Sequence, residues 1–195
     1  YGYYPERLPQ HIRDFDGNAK QVDGYDFNAG PSIADVEFDR METDPYCCGE
    51  FVWTGIDYLG EPTPFGKGKG AARSSYFGAV DLTGVPKDRF WLYRSLWNEK
   101  DDTVHIVPHW TWPGREGRKV PVFVYTSAPE AEVFVNGVSQ GRRRRDPSAT
   151  GRGNPDYHGV LPRYRLAWPD VKWRAGEIRA VAYGSGGEKL GEKMV

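Results

Sequence analysis

The rhythm of apolar and polar positions divides this chain near residue 99. Residues 1–30 are rich in Tyr, Asp, Gly and Pro and keep neither the period of two of a strand nor the roughly 3.6 of a helix, which predicts a long irregular segment. Long connections of this kind in compact domains are often functional lids. Pro31 and Ser32 then open a helical pattern, with Asp35 as a capping-box acid, Ile33, Ala34, Val36, Phe38 and Met41 as the apolar positions and Pro45 as the stop. Residues 49–53 follow as a short apolar run. Phe51, Val52 and Trp53 supply the β-branched and aromatic content of a buried strand, and Gly55, Gly60, Pro62 and Pro64 break it into a loop. From Pro86 onward Phe90, Tyr93, Leu96 and Trp97 recur at helical spacing, predicting a helix that packs on the strand. Helix, strand, loop and helix in that order read as a parallel α/β unit.

Beyond Asn98 the pattern changes. A charged stretch, Glu99, Lys100, Asp101 and Asp102, leads into alternating segments at residues 104–110, 120–126, 131–135, 159–168 and 177–183, separated by turn residues as in an antiparallel β-sandwich. The expected organisation is two domains, residues 1–99 and residues 100–195. The chain ends at Val195 where one further strand is expected to complete a seven-stranded sandwich, so the second domain reads as truncated, and the start at Tyr1 without a methionine reads as an excision. One strand and two helices leave apolar faces uncovered, so the first part is not expected to close a core by itself. The run from Arg142 to Arg145 lies between turn signals without interleaved aromatics and predicts a solvated hairpin tip.

Composition narrows the function classes. With 38% hydrophobic residues over 195 positions the chain can bury a core, which excludes intrinsic disorder. Basic and acidic residues nearly cancel, 26 against 27, so no electrostatic ground exists for nucleic acid or an anionic membrane as partner, and a neutral substrate or a protein fits better. No apolar run approaches the roughly 18 to 20 residues of a membrane span, and no charged-then-apolar leader opens the sequence. The compartment stays open, with periplasmic or extracellular placement the working expectation. Cys47 and Cys48 are adjacent, so a bond between them is strained and no zinc spacing exists. They are expected to be buried free thiols. The GKGKG run at residues 66–70 neither follows a strand directly nor opens a helix, so it is read as a surface loop and no nucleotide is assigned to it.

The candidate chemistry gathers at the end of the predicted strand, where Trp53 is followed by Asp57, Tyr58 and Glu61. A pyranose presents a face of C–H groups that stacks on an aromatic ring and a rim of hydroxyls that needs strongly polar partners. Trp53, Asp57 and Glu61 are therefore the candidate substrate-binding residues for a carbohydrate. The plainer alternative is a buried strand capped by a Trp and followed by a solvated loop. His105 and His109 share one face of a predicted strand, but two imidazoles without a third ligand do not make a metal site, and packing between the two domains is their expected role. No metal and no cofactor is expected. Trp110, Trp112 and Trp173 look exposed in the sequence, which supports an alternative of another class, a non-catalytic carbohydrate-binding or interaction β-sandwich module.

The wording GEFVWTGIDYLGEPTP at residues 49–64, followed by SYFGAVD at 75–81, PKDR at 86–89, LYRSLWN at 92–98, HIVPHW at 105–110 and VNG at 135–137, resembles glycoside hydrolase family 2 and, within it, the β-galactosidases. The resemblance implies that residues 1–99 are the end of a (β/α)8 TIM barrel, namely helix seven, strand eight and helix eight, and that residues 100–195 form an immunoglobulin-like sandwich. It further implies a retaining glycosidase whose two catalytic glutamates stand on barrel strands upstream of everything that matches. No catalytic residue is then expected in this chain, which alone should be inactive. Trp53 matches the family's tryptophan beside the bond that is cut. Asn98-Glu99 repeats the wording around the family's acid/base but closes a helix, and Glu50 lies on the other face of the strand, so both glutamates are read as structural. Phe77 stands where one family member carries a sodium-ligating asparagine, which argues against a sodium requirement. The partners implied are a carbohydrate substrate and the remainder of the same enzyme, with a homo-oligomer compatible.

Overall fold

The computed structural model describes residues 21–22, 25–26, 34–60, 74–75, 78–150 and 158–195. A minimal hairpin comes first, β1 (Gln21–Val22) against β2 (Tyr25–Asp26). Helix α1 runs Ala34–Thr43 and α2 runs Asp88–Trp97, where the apolar spacing predicts them. Pro86 stands two positions before α2, outside its first turn, because Lys87 occupies the N-cap. Ser32, the expected cap of α1, lies outside the described residues.

After α2 the chain is built of strands: β3 (Val104–Val107), β4 (Val122–Thr126), β5 (Glu130–Val135), β6 (Val138–Arg144), β7 (Leu166–Trp168), β8 (Ile178–Tyr183) and β9 (Lys189–Met194). A 3-10 turn (His158–Val160) and a short helix, α3 (Leu161–Tyr164), precede β7. The strands form two antiparallel sheets, ordered β3-β4-β7 and β6-β5-β8-β9, that pack on each other through β3 against β8 and β9 and through β6 against β7. Strand β5 alternates between buried and half-buried positions, as a strand with one face inward must. All five residues of β4 are buried, because its second face is covered by α2. Phe123, Trp168, Ile178, Val107 and Val133 form the dry centre.

Strand β9 follows Tyr183, and the two described sheets hold seven strands between them. Other expectations are corrected. The arginine run is not a hairpin tip. Arg142, Arg143 and Arg144 lie in the edge strand β6, where Arg142 pairs with Glu130 at 2.8 Å and covers the Tyr183 ring at 3.8 Å. Charge on an edge strand deters pairing with another chain. The tip is the Asn136–Gly137 turn, both residues at positive φ, as a two-residue hairpin connection requires.

Residues 49–53 form no strand. A strand exists only where another backbone completes its ladder, and none of the described residues pairs with this run. Phe51 is fully exposed rather than buried. Cys47 is half-buried and Cys48 exposed, both as free thiols, because the chain around them folds against no sheet.

Trp110, Trp112 and Trp173 are buried, at 4%, 3% and 7% exposure. The Trp110 and Trp173 indoles donate to the carbonyls of Arg174 and Trp110, and Trp112 donates to that of His109. Their polar edges are satisfied by loop carbonyls, which lets large rings seal the end of the two sheets. His105 packs as expected, stacked on Trp91 of α2 with its Nε2 at 2.6 Å from Asp88. His109 lies beyond β3 and stacks on Trp112.

Candidate functional site

The segment from Thr54 to Tyr58 takes its shape from Ser75 and residues 78–80. Ala79 and Val80 donate to the carbonyls of Thr54 and Gly55, Asp57 donates to that of Val80, and Ser75 donates to that of Tyr58. Ile56 and Val80 make a parallel bridge. Two stretches far apart in the chain are thus laced together as strands would be, although neither is long enough to count as one.

Asp57 is central to this lacing. Its side chain faces inward, with 6% of the residue exposed. Oδ1 accepts from Gly78 N at 2.7 Å and Ser75 Oγ at 3.2 Å, and Oδ2 accepts from Lys87 Nζ at 2.5 Å. Gly78 has to be glycine, since a Cβ there would stand 2.4 Å from Asp57 N. Lys87, the N-cap of α2, also donates its backbone N–H to Ala79.

Trp53 stands at the other extreme, 72% exposed. Its Nε1 donates to Tyr58 Oη at 3.3 Å, and the two rings meet edge to face with centroids 6.1 Å apart. Beside it lies a cavity of about 540 Å³ bounded by Glu37 of α1, residues Glu50, Phe51, Val52 and Trp53, and Arg89 and Tyr93 of α2. The indole and Phe51 give this space apolar walls, and Glu37, Glu50 and Arg89 give it charged ones. Burial, reinforced by the Glu37 carboxylate, raises the Glu50 pKa against the opposing pull of Arg89. Its Oε1 is buried without a hydrogen-bond partner. Burial likewise pushes the Tyr93 phenol up to about 12.

The structure brings two of the expected substrate residues to one loop, but gives them different surroundings: Trp53 faces the open side and Asp57 the interior. Glu61 and Phe77 lie outside the described residues. Among the described residues no group of three or more His, Cys, Asp and Glu side chains is placed to hold a metal ion. No described helix is long and apolar enough to cross a membrane. Sequence reasoning missed the roles of Lys87, Ser75 and Gly78 around Asp57, and those of Glu37 and Arg89 in the cavity. No signal along the chain could have found them, because each reaches its partner only through the fold.

Residues 117–191 match the model of a domain of unknown function (DUF4982). A β-galactosidase of Bacteroides ovatus is 43% identical over 148 residues, which is 75% of this chain and 15% of that protein. Among solved structures, a β-glycosidase from Bacteroides vulgatus superposes with a TM-score of 0.65 at 32% identity, covering 83% of this chain and 18% of that one. A glycosyl hydrolase family 2 member from Bacteroides cellulosilyticus shares the fold, with a TM-score of 0.61, 24% identity, 83% of this chain and 20% of that one. The chain is a homologue of the glycoside hydrolase family 2 enzymes. It spans about a sixth of the length of these relatives. The β-rich architecture with few helices is that of its family 2 neighbours.

Proposed function

We propose that this chain is part of a retaining glycoside hydrolase acting on β-galactosides. It contributes one wall of the sugar subsite and an accessory domain. Residues 1–99 are then the end of the catalytic (β/α)8 barrel, and residues 100–195 the immunoglobulin-like sandwich that follows it. The observation that carries the reading is Trp53, an indole left 72% exposed beside an open cavity in a chain 43% identical to a β-galactosidase. An indole with a free face beside a cavity offers a stacking surface that the carbon face of a pyranose fits.

The catalytic step needs two carboxyl groups roughly 5 to 5.5 Å apart, one protonated and one ionised. In this reading both come from sequence preceding the chain. Trp53 supplies the stacking surface, and the charged groups around the cavity stay within the protein framework. The distribution of exposed apolar side chains supports a covering neighbour: among the described residues Tyr46, Phe51, Ile56, Leu59, Leu82, Val85 and Trp97 belong with Trp53 to the first part of the chain, against Val138, Leu190, Met194 and Val195 in the second. The remainder of the same enzyme is the natural cover for them. The module alternative loses its ground, since the tryptophans on which it rested are buried.

The test is hydrolysis of 4-nitrophenyl β-D-galactopyranoside, with the β-glucuronide and β-mannoside as comparisons. The full-length enzyme turns over the galactoside, and the 195 residues alone do not. Trp53→Ala in the full-length enzyme raises KM about tenfold, the size of one lost stacking contact of roughly 1.4 kcal/mol. Unaltered kinetics in that variant would remove the subsite role. Turnover by the isolated chain would refute the upstream location of the acids.

A further inference from the structure

We infer that Asp57 and Lys87 are a positioning pair that sets where the Trp53 indole stands, acting through Tyr58. The inference rests on the sugar-subsite reading of Trp53 and deepens it.

The geometry makes one chain of contacts. Trp53 has little packing of its own, and its described polar contact is the bond from Nε1 to Tyr58 Oη. Tyr58 is in turn held at its backbone, where its N–H donates to Ser75 Oγ at 3.0 Å and its carbonyl accepts from Ser75 N at 2.8 Å. Ser75 Oγ donates onward to Asp57 Oδ1, which also takes the N–H of Gly78. Lys87 closes the array from α2, with its side chain 8% exposed and that of Asp57 5% exposed. The helix behind Lys87 is fixed against the β3-β4-β7 sheet through His105, Asp88 and Trp91. The indole is therefore referenced to α2 by a buried ion pair. Its two members lie thirty residues apart in sequence.

Asp57 has no oxygen turned toward the open side. Both are committed to Gly78, Ser75 and Lys87, so its contribution is to hold the loop rather than to bind a hydroxyl. Removing one member strands the other. Without the ammonium, a buried carboxylate turns toward water or takes up a proton, and either change loosens the amides of Ser75, Gly78, Ala79 and Val80 that define the loop. A shift of about 1 Å at the indole is enough to spoil stacking.

Two measurements on the full-length enzyme test this, both with Lys87→Met and with Asp57→Asn, an isostere that keeps the acceptor for Gly78 should the first variant fold poorly. In steady-state kinetics on 4-nitrophenyl β-D-galactopyranoside, each variant raises KM by about tenfold with a much smaller change in kcat. In a Trp53→Ala background neither variant adds further to KM, because the indole they position is gone. In 5-fluorotryptophan-labelled protein, the fluorine resonance of Trp53, assigned by its loss in Trp53→Phe, shifts or broadens in both variants while those of Trp110, Trp112 and Trp173 stay in place. An unmoved Trp53 resonance overturns the pair's role, as do effects of Lys87→Met and Trp53→Ala that multiply independently. If Trp53→Ala leaves KM unaltered while the resonance still moves, the subsite reading fails and the positioning pair stands.

Discussion

Glu50 carries the least comfortable charge among the described residues of the cavity. Its raised pKa comes first from burial and then from the Glu37 carboxylate, so the folded chain holds a proton on it more tightly than the unfolded chain does. The sign follows from linkage. The stabilisation is fully present below about 4.5, the ordinary value, and is lost as pH rises through the folded-state value. Glu50→Gln cannot ionise and escapes this loss. Its thermal midpoint should equal or trail that of the parent near pH 4 and exceed it near pH 7, as followed by circular dichroism at the two pH values. A gap independent of pH would mean that the carboxylate finds a partner the structure does not contain. Asp88 shares the direction, raised by burial against the opposing hydrogen bond from His105.

At the scale of elements, the hairpin joining β5 and β6 concentrates the most information in the fewest residues. Asn136 has φ 49° and Gly137 φ 77°, the left-handed pair that matches the twist of the strands on either side. The Asn136 side chain also ties the hairpin to the turn before β8, donating to the Ala175 carbonyl at 2.9 Å and accepting from Glu177 N at 2.9 Å. Gly137→Ala should cost about 1 to 2 kcal/mol, the penalty of a Cβ in this region. Asn136→Gly keeps the backbone conformation and loses only the side-chain bonds, at about 1 kcal/mol. Urea denaturation of the two variants separates the contributions. Equal losses would show that conformation and bridging are not distinct here.

For the whole molecule, the decisive contact joins α1 to the β3-β4-β7 sheet. Arg165 bonds bidentately to Asp35, with Nε to Oδ1 at 2.8 Å, and lies near the Phe123 and Tyr125 rings with a further bond to Tyr125 Oη. Side-chain exposure is 2% for the arginine and nil for the aspartate. Next along the same face of α1, Arg163 pairs with Asp39 and Glu42, and Thr150 donates to Asp39. Asp35, Asp39 and Glu42 fall at helical spacing, so one acidic stripe is read by two arginines. Breaking the buried pair on one side only, by Arg165→Met or Asp35→Asn, should cost about 3 to 5 kcal/mol. Replacing both with apolar residues of similar volume should cost less than either single change. Denaturant midpoints for the three variants give the coupling, and additive losses would argue against a direct pair.

The local periodicities along this chain determined its helices, most of its strands and the change of architecture near residue 99, because amphipathic spacing and turn residues act within a few positions of themselves. They also singled out Trp53, since a lone indole before a Gly- and Pro-rich loop is a feature of composition alone. Tertiary structure decided which rings are covered. Trp110, Trp112 and Trp173 are buried and Phe51 is not, because exposure depends on what else arrives at a surface. Residues 49–53 have the composition of a strand and are not one, because a ladder needs a second backbone. The inward turn of Asp57 was equally invisible, since Lys87, Ser75 and Gly78 reach it only when the chain closes on itself. Side-chain chemistry is written in the sequence, but whether a carboxylate meets a sugar or a lysine is a matter of distance, and distance belongs to the fold.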